Sequence, residues 1–204
     1  MRALARMSLY QLKPAFQSLL RPSVAWLCQI GVTANQVTLV ACAISLALGF
    51  ALYFLAPAPI WFGLIAVWML VRMAFNAIDG MLAREFGQKS RLGALLNELT
   101  DVASDAALYL PFAKLAPFDP FWVGVVIVLA GLSEFAGALG PTIGAQRRYD
   151  GPMGKSDRAL VFGALALWVA LGMSLPAWVA GLMPMLALLV LWTTANRVRR
   201  ALAT

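Results

Sequence analysis

Four carboxylates, Asp79, Glu98, Asp101 and Asp105, lie in a stretch of chain with strongly apolar segments on both sides. In hydrocarbon each would cost about 2.5–3.5 kcal/mol on insertion scales, so a group of them requires a cation or a polar cavity. Their spacing assigns them to faces. Asn97, Asp101 and Asp105 recur every four residues, which stacks them along one side of a helix. Asn76, Asp79 and Ala83 share a face of the preceding segment in the same way. Two such polar stripes, joined by a nine-residue basic loop from Arg84 to Leu92, would face each other as an antiparallel pair. With no histidine in the chain, acid–base chemistry falls to these carboxylates.

The elements that hold the stripes are membrane helices. Hydrophobic residues make up 62% of the chain and charged ones 12%, which excludes an ordinary soluble domain. Six apolar runs are long enough to span a bilayer: 37–56, 60–82, 92–115, 121–143, 159–175 and 177–194. The expected fold is therefore an all-α integral membrane protein with one domain over residues 1–204. Its six-helix bundle would occupy 37–194, preceded by an interfacial amphipathic helix within 1–30. There Leu9, Leu12, Phe16, Leu19 and Leu20 approximate an apolar face, with Lys13 and Gln17 outside it. Lys13 and Pro14 interrupt the N-terminus too early for a signal peptide. Cys28 and Cys42 have no metal-type spacing, so neither a zinc site nor a structural disulfide is expected.

Charge sets the orientation. Of the sixteen Lys and Arg residues, fourteen fall before the first run, between runs two and three, between four and five, or after the sixth. Lys114 stands alone on the other side and Arg72 lies within a span. The bias places both termini and the 83–91 loop on the cytoplasmic side of the membrane. Topology and anionic lipid account for the +7 charge without nucleic acid.

From Asn76 the chain reads N-x2-D-G-x2-A-R-x8-G-x3-N-x3-D, with a further x3-D ending at Asp105. This resembles the signature of the CDP-alcohol phosphotransferases, membrane enzymes of phospholipid synthesis whose pattern is D-x2-D-G-x2-A-R-x8-G-x3-D-x3-D. The segment Thr33–Thr38, TANQVT, is similar to that family's T-P-N-x-x-T, with Ala34 in place of proline. The resemblance implies nucleotide binding by Asn35, Asp79, Gly80, Ala83, Arg84 and Gly93. It also implies one or two Mg2+ or Mn2+ ions on Asp79, Asp101, Asn76 and Asn97, since hard cations take oxygen ligands. Asp101, the last aspartate of the pattern, would deprotonate an acceptor hydroxyl. The oxygen would then attack CDP-diacylglycerol and release CMP, in a homodimeric enzyme embedded in the bilayer.

Two pattern aspartates are Asn76 and Asn97 here, which keeps an oxygen but deletes a charge at each position. Three readings follow: a site with one tight metal, a site shifted one turn with Asp105 as base, or a relative that binds nucleotide or lipid without catalysis. Delivery of a CDP-linked headgroup to diacylglycerol is the alternative transfer. Beyond the motif, Arg147, Arg148, Lys155 and Arg158 gather on one loop and are candidates to bind a small alcohol or phosphorylated-alcohol acceptor. Glu134 is a candidate partner for Arg72 if their helices adjoin, and Glu98 reads as structural.

Overall fold

The computed structural model describes residues 9–55 and 58–203, with backbone alone for residues 9–15. The expected charges Arg2 and Arg6, and the side chains of Leu9, Leu12 and Lys13, lie outside the described set. Seven α-helices follow one another: α1 (Leu9–Gln29), α2 (Ala34–Phe54), α3 (Gly63–Glu85), α4 (Arg91–Tyr109), α5 (Pro120–Ala138), α6 (Lys155–Ala170) and α7 (Leu182–Leu202). Short 3-10 turns at Pro59–Phe62, Leu110–Lys114, Gly140–Ile143 and Ala177–Gly181 flank them, and no strand occurs among the described residues.

Four segments are long and apolar enough to cross a membrane: Ala34–Phe54, Pro59–Glu85, Pro120–Ala138 and Ala177–Leu202. The other two runs read as spans behave differently. Helix α4 carries Arg91, Glu98, Asp101 and Asp105 within 19 residues, and α6 has only 16 residues, against the roughly 20 a bilayer core requires. Large apolar side chains stand outward on the long helices, among them Val67, Leu70, Val128 and Leu188. That is the pattern of helices solvated by lipid rather than water.

The chain divides into two compact units. The first comprises the residues up to Ala41 together with Val71–Asn97. Its core is Val24, Ala34, Val37, Met81 and Leu82, with Leu20, Phe75, Ile78 and Ala83 packed against it. The second comprises Cys42–Leu70 and Glu98–Thr204. There Tyr109 stacks on Phe162 at 3.8 Å between ring centroids, and Phe112 meets Phe62 and Phe162 edge-on. Trp68 donates its indole N–H to Ser45 at 2.8 Å inside this core, so its one polar atom is satisfied.

Sequence signals set the helix ends. Thr33 caps α2 with a capping box: its hydroxyl accepts the Gln36 N–H at 3.3 Å, and Gln36 Oε1 accepts the Thr33 N–H at 2.8 Å. Ser90 caps α4 by accepting the Gly93 N–H at 2.9 Å, and Asp119 caps α5 through the Phe121 N–H at 2.9 Å. The connection between α3 and α4 is thus five residues, 86–90, shorter than the nine expected. Apolar periodicity could not register helical turns made of Arg84, Glu85 and Arg91.

Candidate functional site

In the first unit the motif residues meet through short polar contacts. Thr38 Oγ1 donates to Asp79 Oδ2 at 2.8 Å, with the Ala34 carbonyl at 3.0 Å as its other acceptor. Asp79 is buried, so its carboxylate is oriented from α2 while it sits on α3. Gly80 has a steric role: a Cβ there would come within 2.7 Å of Arg84 Nη2. The Arg84 guanidinium lies back along its own helix, one turn down, over the bare glycine. Gly93 is equally constrained, because a Cβ would stand 2.8 Å from Asn35 Oδ1. Asn35 and Gly93 are therefore neighbours across α2 and α4. Ala83 packs into the apolar core. Asn76 and Asn97 are partly exposed.

Gln88 was not singled out from the sequence, although it organises this end. Its Oε1 accepts the Ala34 N–H at 2.7 Å and its Nε2 lies 3.4 Å from the Val32 carbonyl. One side chain in the 86–90 connection thereby takes up an otherwise unpaired N–H in the first turn of α2. Arg21 and Glu85 add an exposed two-pronged pair at 3.0 and 3.1 Å between α1 and the end of α3.

The second unit holds the carboxylates of α4 and the cations of the 146–158 region. Lys155 Nζ is 2.5 Å from Asp101 Oδ1, with both side chains partly exposed. Arg158, one turn further along α6, is buried to 1% exposure and reaches Asp105 at 3.3 Å and Glu134 at 2.9 Å. Glu134 also takes Arg197 at 3.3 Å and Arg147 at 3.5 Å. Arg147 donates from Nη2 to Glu98 Oε2 at 2.7 Å. Its Nε is 2.6 Å from Oε1, an ion-pair contact rather than an aligned hydrogen bond. Burial works against the charge on Arg147, yet the Glu98 carboxylate outweighs it and holds the guanidinium above its ordinary range. The ring of Tyr149 lies 4.4 Å beneath it.

Glu134 is taken by Arg158, Arg197 and Arg147. Arg72 itself is buried. Glu98, read as structural, is the main partner of Arg147. Arg197, one of the cations after the sixth apolar run, is buried and also donates to the Ser133 carbonyl at 2.6 Å. A carboxylate in the apolar run 121–143 was the available signal for this network; nothing local named its partners.

The loop before α6 is tightly fixed. The Arg148 N–H donates to the Gly137 carbonyl at 3.1 Å, and its Nη2 to the Arg200 carbonyl at 2.7 Å. A Cβ on Gly137 would collide with the Arg148 carbonyl, so glycine permits this close approach. Thr193 accepts the Met153 N–H at 2.9 Å.

The oxygen donors that the motif offers are the Asp79 carboxylate and the Asn76 and Asn97 amides in the first unit, and the Asp101 carboxylate in the second. That chemistry fits a hard divalent cation. No group of three or more Asp, Glu, Cys or His side chains is assembled for a metal among the described residues. A bound ion would thus rely on the asparagines as well as the aspartates.

A family model described as CDP-alcohol phosphatidyltransferase matches residues 31–193. The chain belongs to that family. CDP-alcohol phosphatidyltransferases are membrane enzymes of phospholipid biosynthesis that transfer substituted phosphate groups. Inner membrane protein YnbA of Escherichia coli K12 is 50% identical over 196 residues, covering 96% of this chain and 97% of that one. The CDP-diacylglycerol–inositol 3-phosphatidyltransferase of Drosophila melanogaster is 34% identical over 87 residues, 40% of this chain and 39% of that one. The crystal structure of Mycobacterium tuberculosis phosphatidylinositol phosphate synthase with CDP-DAG bound superposes with a TM-score of 0.71, covering 88% of this chain and 92% of the other. At 22% identity that likeness concerns the fold.

Proposed function

We propose that this CDP-alcohol phosphatidyltransferase moves a phosphatidyl group from CDP-diacylglycerol to the hydroxyl of a small alcohol and releases CMP. The observation that carries the reading is the partly exposed Asp101 held by Lys155, in a chain that keeps the Asp79-Gly80-Ala83-Arg84-Gly93 motif in sequence. In the reaction the acceptor oxygen forms a bond to the phosphorus that bears diacylglycerol. The bond from that phosphorus to the bridging oxygen breaks, and its electron pair leaves on CMP. The hydroxyl proton passes to Asp101. Lys155 holds Asp101 in place as the hydroxyl approaches, and positioning of this kind supplies much of the catalysis in phosphoryl-type transfers.

Asp101 suits the base role better than Asp105. The Asp105 side chain is 6% exposed and is committed to Arg158, whose guanidinium does not deprotonate in proteins. Asp105 is then a positioning residue that holds α4 against α6. Asn35, Gly80, Arg84 and Gly93 would receive the nucleotide, the two glycines offering bare backbone to it. A divalent ion on Asp79, Asp101, Asn76 and Asn97 would neutralise the diphosphate and make CMP a better leaving group. A structural relative was crystallised with manganese and citrate, which supports that choice of ion.

The membrane arrangement in this reading is six spans, α2 to α7, after an interfacial α1, forming one domain and working as a homodimer. The Lys and Arg bias supports a cytoplasmic site. The test is CMP release from CDP-diacylglycerol by purified protein with Mg2+ or Mn2+ and a panel of alcohols. Release that requires an acceptor supports the reading; nucleotide binding without release across the panel leaves a non-catalytic module. Incorporation of a CDP-linked headgroup into diacylglycerol would instead support the alternative transfer.

A further inference from the structure

Of the four cations nominated to bind the acceptor, Arg147, Lys155 and Arg158 already face carboxylates of the protein. Arg147, Arg158 and Arg197 face Glu98, Asp105 and Glu134, so three positive charges meet three negative ones. Arg158 and Arg197 are each 1% exposed and cannot be reached by a ligand. Lys155 is bound to Asp101. Arg148 gives a guanidinium N–H to the carbonyl of Arg200.

A phosphate on the acceptor would need a guanidinium with donors to spare, ideally in a two-pronged geometry. Arg147 and Arg148 are the half-buried guanidiniums: Arg148 is tied to the Arg200 carbonyl, and Glu98 already lies along one edge of Arg147. An incoming dianion would have to displace Glu98 while standing near Glu134, 3.5 Å from the same guanidinium. Repulsion between like charges opposes that exchange, and a displaced carboxylate beside Glu134 would lack a partner.

Resting on the transferase reading above, we propose that the acceptor carries no phosphate: it is a small hydroxyl compound without net negative charge. Glu98 and Glu134 are then the residues that reject anionic acceptors. Glu98 acts at the accessible edge of Arg147, and Glu134 by drawing the buried arginines inward.

The test compares each polyol with its monophosphate: glycerol against glycerol 3-phosphate, and inositol against inositol 1-phosphate. Purified full-length enzyme is supplied with CDP-diacylglycerol and Mg2+, and CMP and the lipid product are measured. The expected result is a kcat/KM at least about tenfold higher for the unphosphorylated member of a productive pair, equivalent to about 1.4 kcal/mol. Glu98→Gln frees the accessible edge of Arg147, so it should narrow that ratio through a lower KM for the phosphorylated member. This partly exposed site keeps the test available if Glu134→Gln fails to fold. Preference for the phosphorylated member, or a ratio unmoved by Glu98→Gln, overturns the inference while leaving the transferase reading intact. CMP release with none of the acceptors overturns the transferase reading and this inference with it.

Discussion

The two units achieve polar order by different means. In the first, uncharged side chains supply much of it: Thr33 with Gln36, Gln88 with Ala34, and the Thr38 hydroxyl on the Asp79 carboxylate. Glycines let the Arg84 and Asn35 side chains lie close against helix backbone. In the second, order comes from buried ions, with Glu134 binding three arginines that belong to the loop and to two helices. The first arrangement rests on hydrogen bonds between neighbouring helix ends; the second on paired buried charges. A nucleotide can be received by bare helix backbone, whereas a site that discriminates among small alcohols benefits from fixed charges that accept no further anion.

Substitutions that treat the two halves differently break or sharpen this contrast. The largest effect on activity belongs to Asp101→Asn, expected to lower kcat about 10³-fold, the range for loss of a general base, without loss of fold. If Asp101→Asn stays active while Asp105→Asn is dead, the base lies one turn further along α4. Next in size is Glu134→Ala, which leaves buried Arg197 without its carboxylate and buried Arg158 with Asp105 alone. It should cost about 3–5 kcal/mol, read as a loss of thermal stability in detergent. In the first unit, Gly93→Ala should weaken CDP-diacylglycerol binding about tenfold, equivalent to roughly 1.4 kcal/mol, by pushing a methyl group against Asn35. Melting temperature should hardly move, in contrast to Glu134→Ala. The smallest effect belongs to Asn76→Asp with Asn97→Asp: divalent-ion affinity should rise, and unchanged affinity in a metal titration would sink the charge argument made for those asparagines.

The first half of this contrast was largely legible in the sequence. A motif built from glycine, alanine and one arginine at fixed spacings describes local geometry, and Gly80 with Arg84 is a contact within one helix. The TANQVT segment was legible as a motif, though the capping box that shapes it became plain only from the paired Thr33 and Gln36 bonds. The second half was not readable. Arg158, Glu134 and Arg197 stand on three different helices, and no periodicity relates them. Burial of Arg158 and Arg197 follows from tertiary packing alone: in the sequence one reads as an acceptor ligand and the other as a topology marker, and in the structure both pair with Glu134. The spans were read from apolar runs, and α4 and α6 are where that signal is weakest, because the chemistry displaced hydrophobic residues there.

The measurement that bears most directly on the account is CMP release from CDP-diacylglycerol by purified wild-type and Asp101→Asn protein, side by side, with Mg2+ and an acceptor panel. The account predicts acceptor-dependent CMP release by the wild type, matched by a new phospholipid, and its loss in the variant. Equal release by both proteins would contradict it, as would silence from a folded, nucleotide-binding wild type across the panel.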